Sequence, residues 1–305
     1  MNKQDRIQVL LKKLQKKVNT NLFHIPLEVF YSGGKRKNNK RMYIKINIDG
    51  LVIFGKFPLN KNDKMVVKEA YKLRRISTNQ FSIPEVILPV GKGFFMTSIK
   101  GCPIEFILKK RGLPKSMEIL KETVRRIARF HRATEIEHVF FKDKLDIYSK
   151  LTGQNPRDFQ KKDLLKEVSI GYMHGDLDPF NMFFDAKTNN YGLIDWEDFR
   201  EKGIQELDIL HFLIMIAVIL CRKKDFINLY QKIFLKNNSL SRTIMRLLSE
   251  YCIIQKKNPH SIINLLPIYC DTQIYRLVKT GRNQKGFLYG SFKNLFQEKG
   301  YKTYL

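Results

Sequence analysis

Residues 172–197 constrain this chain more than any other stretch. Met182 to Phe184 and Tyr191 to Ile194 are short apolar runs, and the polar segment Asp185–Asn190 separates them. Two such runs around a turn-rich segment read as a β-hairpin. Folding that hairpin symmetrically brings Asn181, just before the first strand, beside Asp195, just after the second. An amide oxygen and a carboxylate then converge. Oxygen donors suit a hard cation, and magnesium takes only one or two from protein and completes its shell with phosphate and water. An ordinary surface hairpin with polar ends is the alternative. Asp176, Asn181 and Asp195 all fit one hairpin, and that favours a site.

Asp176 and Asn181 stand five residues apart in the run from His174-Gly175-Asp176-Leu177 to Asn181. This resembles the catalytic loop of protein-kinase-like enzymes, where the Asp takes the acceptor hydroxyl's proton and the Asn holds magnesium. With Pro179, Ile194-Asp195-Trp196-Glu197, Gly203 and Asp208, the stretch resembles the aminoglycoside phosphotransferase and choline kinase superfamily. The resemblance is strongest over residues 171–212, weaker over 29–134, and carries no motif beyond 212. It implies an α+β, two-lobed protein-kinase-like fold, with a small β-rich N-lobe over 1–99 and a larger helical C-lobe over 100–305. It also implies ATP and Mg2+ between the lobes, and transfer of the γ-phosphate to a small-molecule hydroxyl. Asp176 would orient and deprotonate that hydroxyl, and Asn181 and Asp195 would hold magnesium. His174 would support the loop backbone. Asp208 would brace the loop or serve as a helix-start carboxylate favoured by the dipole. For Glu197 three roles stay open: facing the acceptor, arranging the metal, or structure alone. Asp178 and Phe180 depart from the His and Gly common at their positions. An aromatic before the Asn resembles members found with surface-polysaccharide genes.

Upstream, residues 3–18 read as a basic amphipathic helix with Ile7, Leu10, Leu11, Leu14 and Val18 on one stripe. Such a helix lies on an anionic membrane or packs on its own domain. Strands come next at Glu28–Tyr31, Tyr43–Ile48 and Leu51–Phe57, the last two joined by the hairpin turn Asp49-Gly50. Ser32-Gly33-Gly34 is a weak phosphate-cradle candidate and equally an ordinary loop. Glu69 falls on the apolar stripe Met65, Glu69, Leu73 and Ile76 of a helix opened by Asp63. A carboxylate there needs a cation, and Lys56 near the end of its strand is the natural partner, with Lys45 or Lys68, or a solvated Glu69 at the edge of the stripe, as the alternatives. Kinases use such a lysine to hold the nucleotide phosphates. Ile83–Leu88 and Phe94–Ile99 read as strands. The second resembles the segment joining the lobes, which implies adenine contacts from the backbone near Met96, Ser98 and Ile99. Met117–Ala133 reads as a helix with Leu120, Val124, Ile127, Ala128 and His131 on one side, His131 being a packing residue.

Composition bounds the rest. Hydrophobic and charged contents of 43% and 28% are those of a globular protein. The net charge of +27 suits phosphate-rich partners, although lysines spread over the whole chain also produce it. Residues 204–305 hold sixteen Lys/Arg against six Asp/Glu, which disfavours a polycationic acceptor. A neutral or anionic acceptor, such as a sugar or a glycan or lipid-linked intermediate, fits better than an aminoglycoside, choline or ethanolamine. The aromatics Phe287, Tyr289, Phe292, Phe296 and Tyr301 serve packing or stacking. Four cysteines without a Cys-x-x-Cys pair suit a reducing compartment. Leu207–Cys221 is apolar but too short to span a bilayer, and the N-terminus lacks signal-peptide features. The expected location is cytoplasmic, with peripheral contact at the inner membrane face as an option. Nucleic acid is a disfavoured partner. Three rivals remain: a protein kinase, against which the absent Asp-Phe-Gly and Ala-Pro-Glu signatures count, a catalytically silent kinase-like binding protein, and a basic nucleic-acid binder.

Overall fold

In a computed structural model the chain forms two units, the first made of Met1–Ser77, Ser82–Lys100 and Gly192–Glu197, the second of Thr78–Phe81, Gly101–Tyr191 and Asp198–Leu305. The residues described are 3–20, 22, 25–32, 40–60, 62–155, 162–221, 226–279 and 283–301. Two segments, Thr78–Phe81 and Gly192–Glu197, fall on the other side of a division at residue 100, and Asp195 and Glu197 fold with the first unit.

Unit 1 is built on a five-stranded antiparallel sheet of order β1-β2-β3-β5-β4. Its strands are β1 (Leu27–Ser32), β2 (Arg41–Ile48), β3 (Leu51–Pro58), β4 (Val86–Val90) and β5 (Gly93–Thr97). Alternation in β2 buries Ile44, Ile46 and Ile48. Asp49 and Gly50 both take positive φ, 48° and 85°, as a two-residue hairpin turn requires. Pairing Ile48 with Leu51 then sets the register that places Lys56 opposite Tyr43. The strand expected from Ile83 begins only at Val86, because Pro84 has no N–H for a ladder. The Gly33-Gly34 turn lies outside the described residues.

Helix α1 (Lys3–Val18) buries Leu10, Leu11 and Leu14 against Met42, Ile44, Ile53, Phe57 and Phe95. Burial of this kind is worth about 1.5–3 kcal/mol per large apolar side chain. The stripe is therefore already occupied by its own sheet, and Lys12, Lys13, Lys16 and Lys17 stay exposed. Helix α2 (Met65–Leu73) starts where the Asp63 carboxylate accepts from the Met65 amide at 2.9 Å. It buries Val66, Glu69, Ala70 and Leu73, while Met65, expected on that stripe, is half-buried.

Unit 2 is mainly helical. Helix α3 (Ile104–Thr134) is two helical stretches joined at a kink, where Gly112 takes φ 73° and ψ 172°, and the expected Met117–Ala133 lies within the second. Leu120, Val124, Ile127, Ala128 and His131 are buried on one side of it. Helix α4 (Phe141–Thr152) comes after it, ending on a left-handed Gly153. Two small sheets frame the loop that carries Asp176: β6 (Cys102–Pro103), β8 (Met182–Asp185) and β9 (Asn190–Leu193) in order β6-β8-β9, and β7 (Ile170–Met173) with β10 (Arg200–Ile204).

Helix α5 (Glu206–Cys221) is buried along nearly its whole length. Among the described residues no helix is long and apolar enough to cross a membrane. Beyond it come α6 (Phe226–Tyr230), α7 (Ser239–Gln255), α8 (Pro259–Ile263), α9 (Leu266–Lys279) and α10 (Asn283–Lys299). Phe292 and Phe296 are buried, Tyr301 stacks on Phe296, and Tyr289 meets Tyr269 edge-on. These aromatics pack. The Phe287 side chain lies outside the described residues.

Candidate active site

In unit 1 the site is built around Lys56. The lysine is buried, and its Nζ donates to Glu69 Oε2 at 2.7 Å and to Asp195 Oδ1 at 3.1 Å, with Glu197 Oε1 at 2.5 Å. Burial opposes the charge, but Glu69, Asp195 and Glu197 outweigh it and hold the ammonium well above the ordinary lysine pKa. The carboxylates outnumber that ammonium three to one. Burial pushes Glu69 up to about 7, Lys56 opposes this, and Asp195 and Glu197 add to it. Glu197 is shared with Arg41, which also donates to Asp63 at 3.1 Å, and the Glu197 carbonyl accepts from Lys72.

Asp195 is distinct in two ways. Its side chain is 39% exposed where that of Glu69 is 2% exposed. Its φ of 63° is left-handed, a conformation that costs a non-glycine residue energy and clusters at functional sites. Oxygens of Glu69, Asp195 and Glu197 lie within 4.8 Å of one another. A buried excess of carboxylate with one open member is the donor chemistry that a hard divalent cation relieves.

In the 96–99 segment the Ser98 amide donates to Val52 O at 2.9 Å, and its hydroxyl donates to the Ile99 carbonyl at 3.2 Å. That amide is therefore already paired. Met96 sits in the ladder opposite Phe54. Ile99 packs on Gly192 so closely that a Cβ there would lie 2.0 Å from Ile99 Cγ2.

In unit 2 the loop between β7 and β8 carries Asp176 and Asn181. Asp208, in the first turn of α5, braces it: Oδ2 accepts from the His174 amide at 2.6 Å and Oδ1 from the Gly175 amide at 2.9 Å. Gly175 has φ +83°, and a Cβ on it would lie 2.6 Å from the Asp198 carbonyl, so only glycine fits. His174 Nδ1 accepts from the Asp176 amide at 3.3 Å, which is backbone support. Asp178 Oδ1 accepts from the Phe180 and Asn181 amides at 2.9 and 3.0 Å, an Asx turn. The Asn181 side chain donates Nδ2 to the Asp176 carbonyl at 2.9 Å. This fixes which end of the amide is engaged and turns Oδ1 the other way.

The loop carboxylates have partners that the sequence did not suggest. Arg276 of α9 grips Asp176 with both terminal nitrogens, at 2.7 Å to Oδ1 and 2.5 Å to Oδ2, and its Nε lies 2.9 Å from Asp198 Oδ2. His211 Nε2 is 3.4 Å from Asp176 Oδ1, and its Nδ1 pairs with the Tyr269 hydroxyl at 2.9 Å. Burial raises Asp176, but Arg276 and His211 overcome it and hold the carboxyl below the ordinary range. Burial and the neighbouring Asp176 raise Asp178. His211 was legible in principle: a histidine three residues after Asp208 on an apolar helix shares its face. Nothing in the local sequence marks Arg276.

No protein-family model matches the chain, and no curated protein matches it. Solved structures do. A thermostable mutant of aminoglycoside phosphotransferase APH(4)-Ia, in ternary complex with ADP and hygromycin B, matches over 95% of this chain and 99% of that one, with 12% identity and a TM-score of 0.57. APH(2")-IIa in a ternary complex with streptomycin and ATP matches over 92% and 97%, with 15% identity and a TM-score of 0.51. APH(3'')-Id from Streptomyces rimosus matches over 88% and 97%, with 14% identity and a TM-score of 0.50. The α+β fold expected from residues 172–208 is the fold these phosphotransferases share with this chain.

Proposed function

We propose that this chain is an ATP- and magnesium-dependent phosphotransferase that moves the γ-phosphate to a hydroxyl of a small molecule, a sugar or a glycan or lipid-linked intermediate. The observation that carries the reading is Lys56, buried and bound to Glu69 and Asp195 at once. A lysine held by a helix carboxylate beside a metal-binding carboxylate is the phosphate-holding arrangement of kinase-like enzymes.

In this reading Lys56 binds the nucleotide phosphates and Glu69 keeps it in place. Asn181 Oδ1 and the open Asp195 carboxylate hold magnesium, which when bound neutralises phosphate charge. Adenine binding falls to the backbone of Ile99, because Met96 lies inside the sheet ladder between Phe54 and Val86 and the Ser98 amide is taken by Val52. Asp176 orients the acceptor hydroxyl and takes its proton as the oxygen bonds to the γ-phosphorus and the bond to the β-phosphate oxygen breaks, releasing ADP. Asp208, His174 and Asp178 hold the loop that carries Asp176. Positioning and electrostatics supply the rate. The excess of Lys/Arg in residues 204–305 supports a neutral or anionic acceptor over a polycation.

The test is ATP consumption with product mass measured across sugars, amino alcohols, nucleosides and aminoglycosides. A sugar-class product made by the wild type and lost in Asp195→Asn supports the reading. Equal ATP consumption by the two proteins removes the metal role of Asp195. A labelled polypeptide in place of a small-molecule product overturns the acceptor class.

A further inference from the structure

We propose that Arg276 is an anion receptor for the substrate: its guanidinium fork turns from Asp176 to a phosphate or carboxylate of the bound substrate, and the acceptor hydroxyl takes its place on Asp176. The inference rests on the phosphotransferase reading above.

The geometry argues for exchange. Both Asp176 oxygens are engaged by the two terminal nitrogens of Arg276, at 2.7 and 2.5 Å. An acceptor hydroxyl needs one of those oxygens within about 2.6–3.2 Å, and the fork already competes for both of them. Asp198 keeps Nε and the Gly175 carbonyl lies 3.4 Å from one terminal nitrogen, but the two terminal nitrogens would lose their carboxylate, and a group that brings an oxyanion of its own replaces that loss. A planar fork matches carboxylate and phosphate oxygens in pairs, which an ammonium does not.

The pair is open to a ligand, with 24% of the Arg276 side chain and 23% of the Asp176 side chain exposed. Its Nε rests on Asp198 Oδ2 at 2.9 Å, a pivot that survives a turn of the two terminal nitrogens. Asp198 is thus a positioning residue. Lys279, one turn further along α9 with its ammonium over the Tyr275 ring, adds positive charge on the same helix.

The oxyanion has two sources, the acceptor's own acidic group or the γ-phosphate of ATP, and one experiment separates them. Steady-state ATP turnover is measured with glucose, glucuronate and glucosamine, and with glycerol, glycerol 3-phosphate and serinol, for wild type, Arg276→Gln and Arg276→Lys. If the acceptor supplies the anion, the acidic members are preferred and Arg276→Gln raises their KM by about thirtyfold or more, as expected for a lost buried charge partner. Arg276→Lys, which keeps the charge but not the fork, recovers only part of this. If ATP supplies it, Arg276→Gln lowers kcat with every acceptor and lowers hydrolysis by water equally.

The proposal is overturned if Arg276→Gln leaves both kcat and KM within about twofold, or turns over faster than wild type, which would make the fork only a latch. Wild type that binds Mg-ADP but consumes no ATP with any acceptor counts against the phosphotransferase reading. The receptor is then judged by thermal shift alone. Glucuronate or inorganic phosphate must stabilise wild type more than Arg276→Lys and leave Arg276→Gln unshifted, and equal shifts in wild type and Arg276→Gln overturn it.

Discussion

Replacing Asp208 by alanine takes two hydrogen-bond acceptors away from the loop that carries Asp176. The carboxylate is 2% exposed, and its oxygens receive the amides of His174 at 2.6 Å and Gly175 at 2.9 Å. His131 Nε2 lies 3.5 Å from the same carboxylate. Asp208 is buried, so on its removal the two amides lose their acceptors. Each such loss costs about 1–3 kcal/mol. Relief from no longer burying a carboxylate offsets part of the sum, which leaves about 3 kcal/mol. For a domain of roughly 200 residues that lowers the melting temperature by about 6–12 °C.

Asparagine at 208 is not a rescue, because its NH2 would face one of the two N–H groups. Glutamate carries the charge one methylene too far to meet both amides. The assay is thermal unfolding monitored by near-UV circular dichroism, with turnover measured well below the transition. Activity should fall further than stability, since the loop loses its anchor while the fold persists. If the alanine variant melts within about 2 °C of wild type, Asp208 is a helix-start carboxylate and the brace is wrong.

Two further outcomes come from the same geometry. The Glu69 pKa is raised from 4.5 to about 7. The folded chain therefore binds more protons than the unfolded chain within that window, and this contribution to stability is present below pH 4.5 and lost as pH rises towards 7. Melting temperature against pH should show that fall in wild type and lack it in Glu69→Gln, and parallel curves would exclude Glu69 as the titrating group. Gly175→Ala should destabilise by about 2 kcal/mol or more, because φ is +83° and the new Cβ meets a backbone carbonyl at 2.6 Å. An alanine variant with a wild-type denaturation midpoint would contradict that geometry.

Local patterns made much of unit 1 legible. The β2–β3 hairpin stems from alternating isoleucines and Asp49-Gly50, and its register alone sets the position of Lys56. The Lys56–Glu69 pair stems from a carboxylate on an apolar stripe, although Val66 and Ala70 flank it where Met65 was expected. Chain direction hid the rest. Gly192–Glu197 sits with the first unit because its strand lies against Ser82, whose carbonyl takes the Leu193 amide at 2.9 Å. Strand β10, Arg-Glu-Lys-Gly-Ile, has no apolar alternation and forms only because β7 offers it partners.

Arg276 was invisible for a different reason. Its partner Asp176 is 100 residues away, and an arginine near the end of a helix ordinarily needs no explanation beyond the dipole. Gly112 and Pro114 mark a true break, since Gly112 kinks α3, and the helical stretch ahead of it from Ile104 is the part that carried no clear periodic signal. Each miss is a case where tertiary partners decided what local propensity left undecided.

The most direct test of the central claim compares wild type with Asp176→Asn at saturating Mg-ATP and a productive acceptor, with Mg-ATP affinity measured alongside. The account predicts unchanged nucleotide affinity and a turnover reduced by about 10²–10⁴-fold. Equal turnover by the two proteins would contradict it.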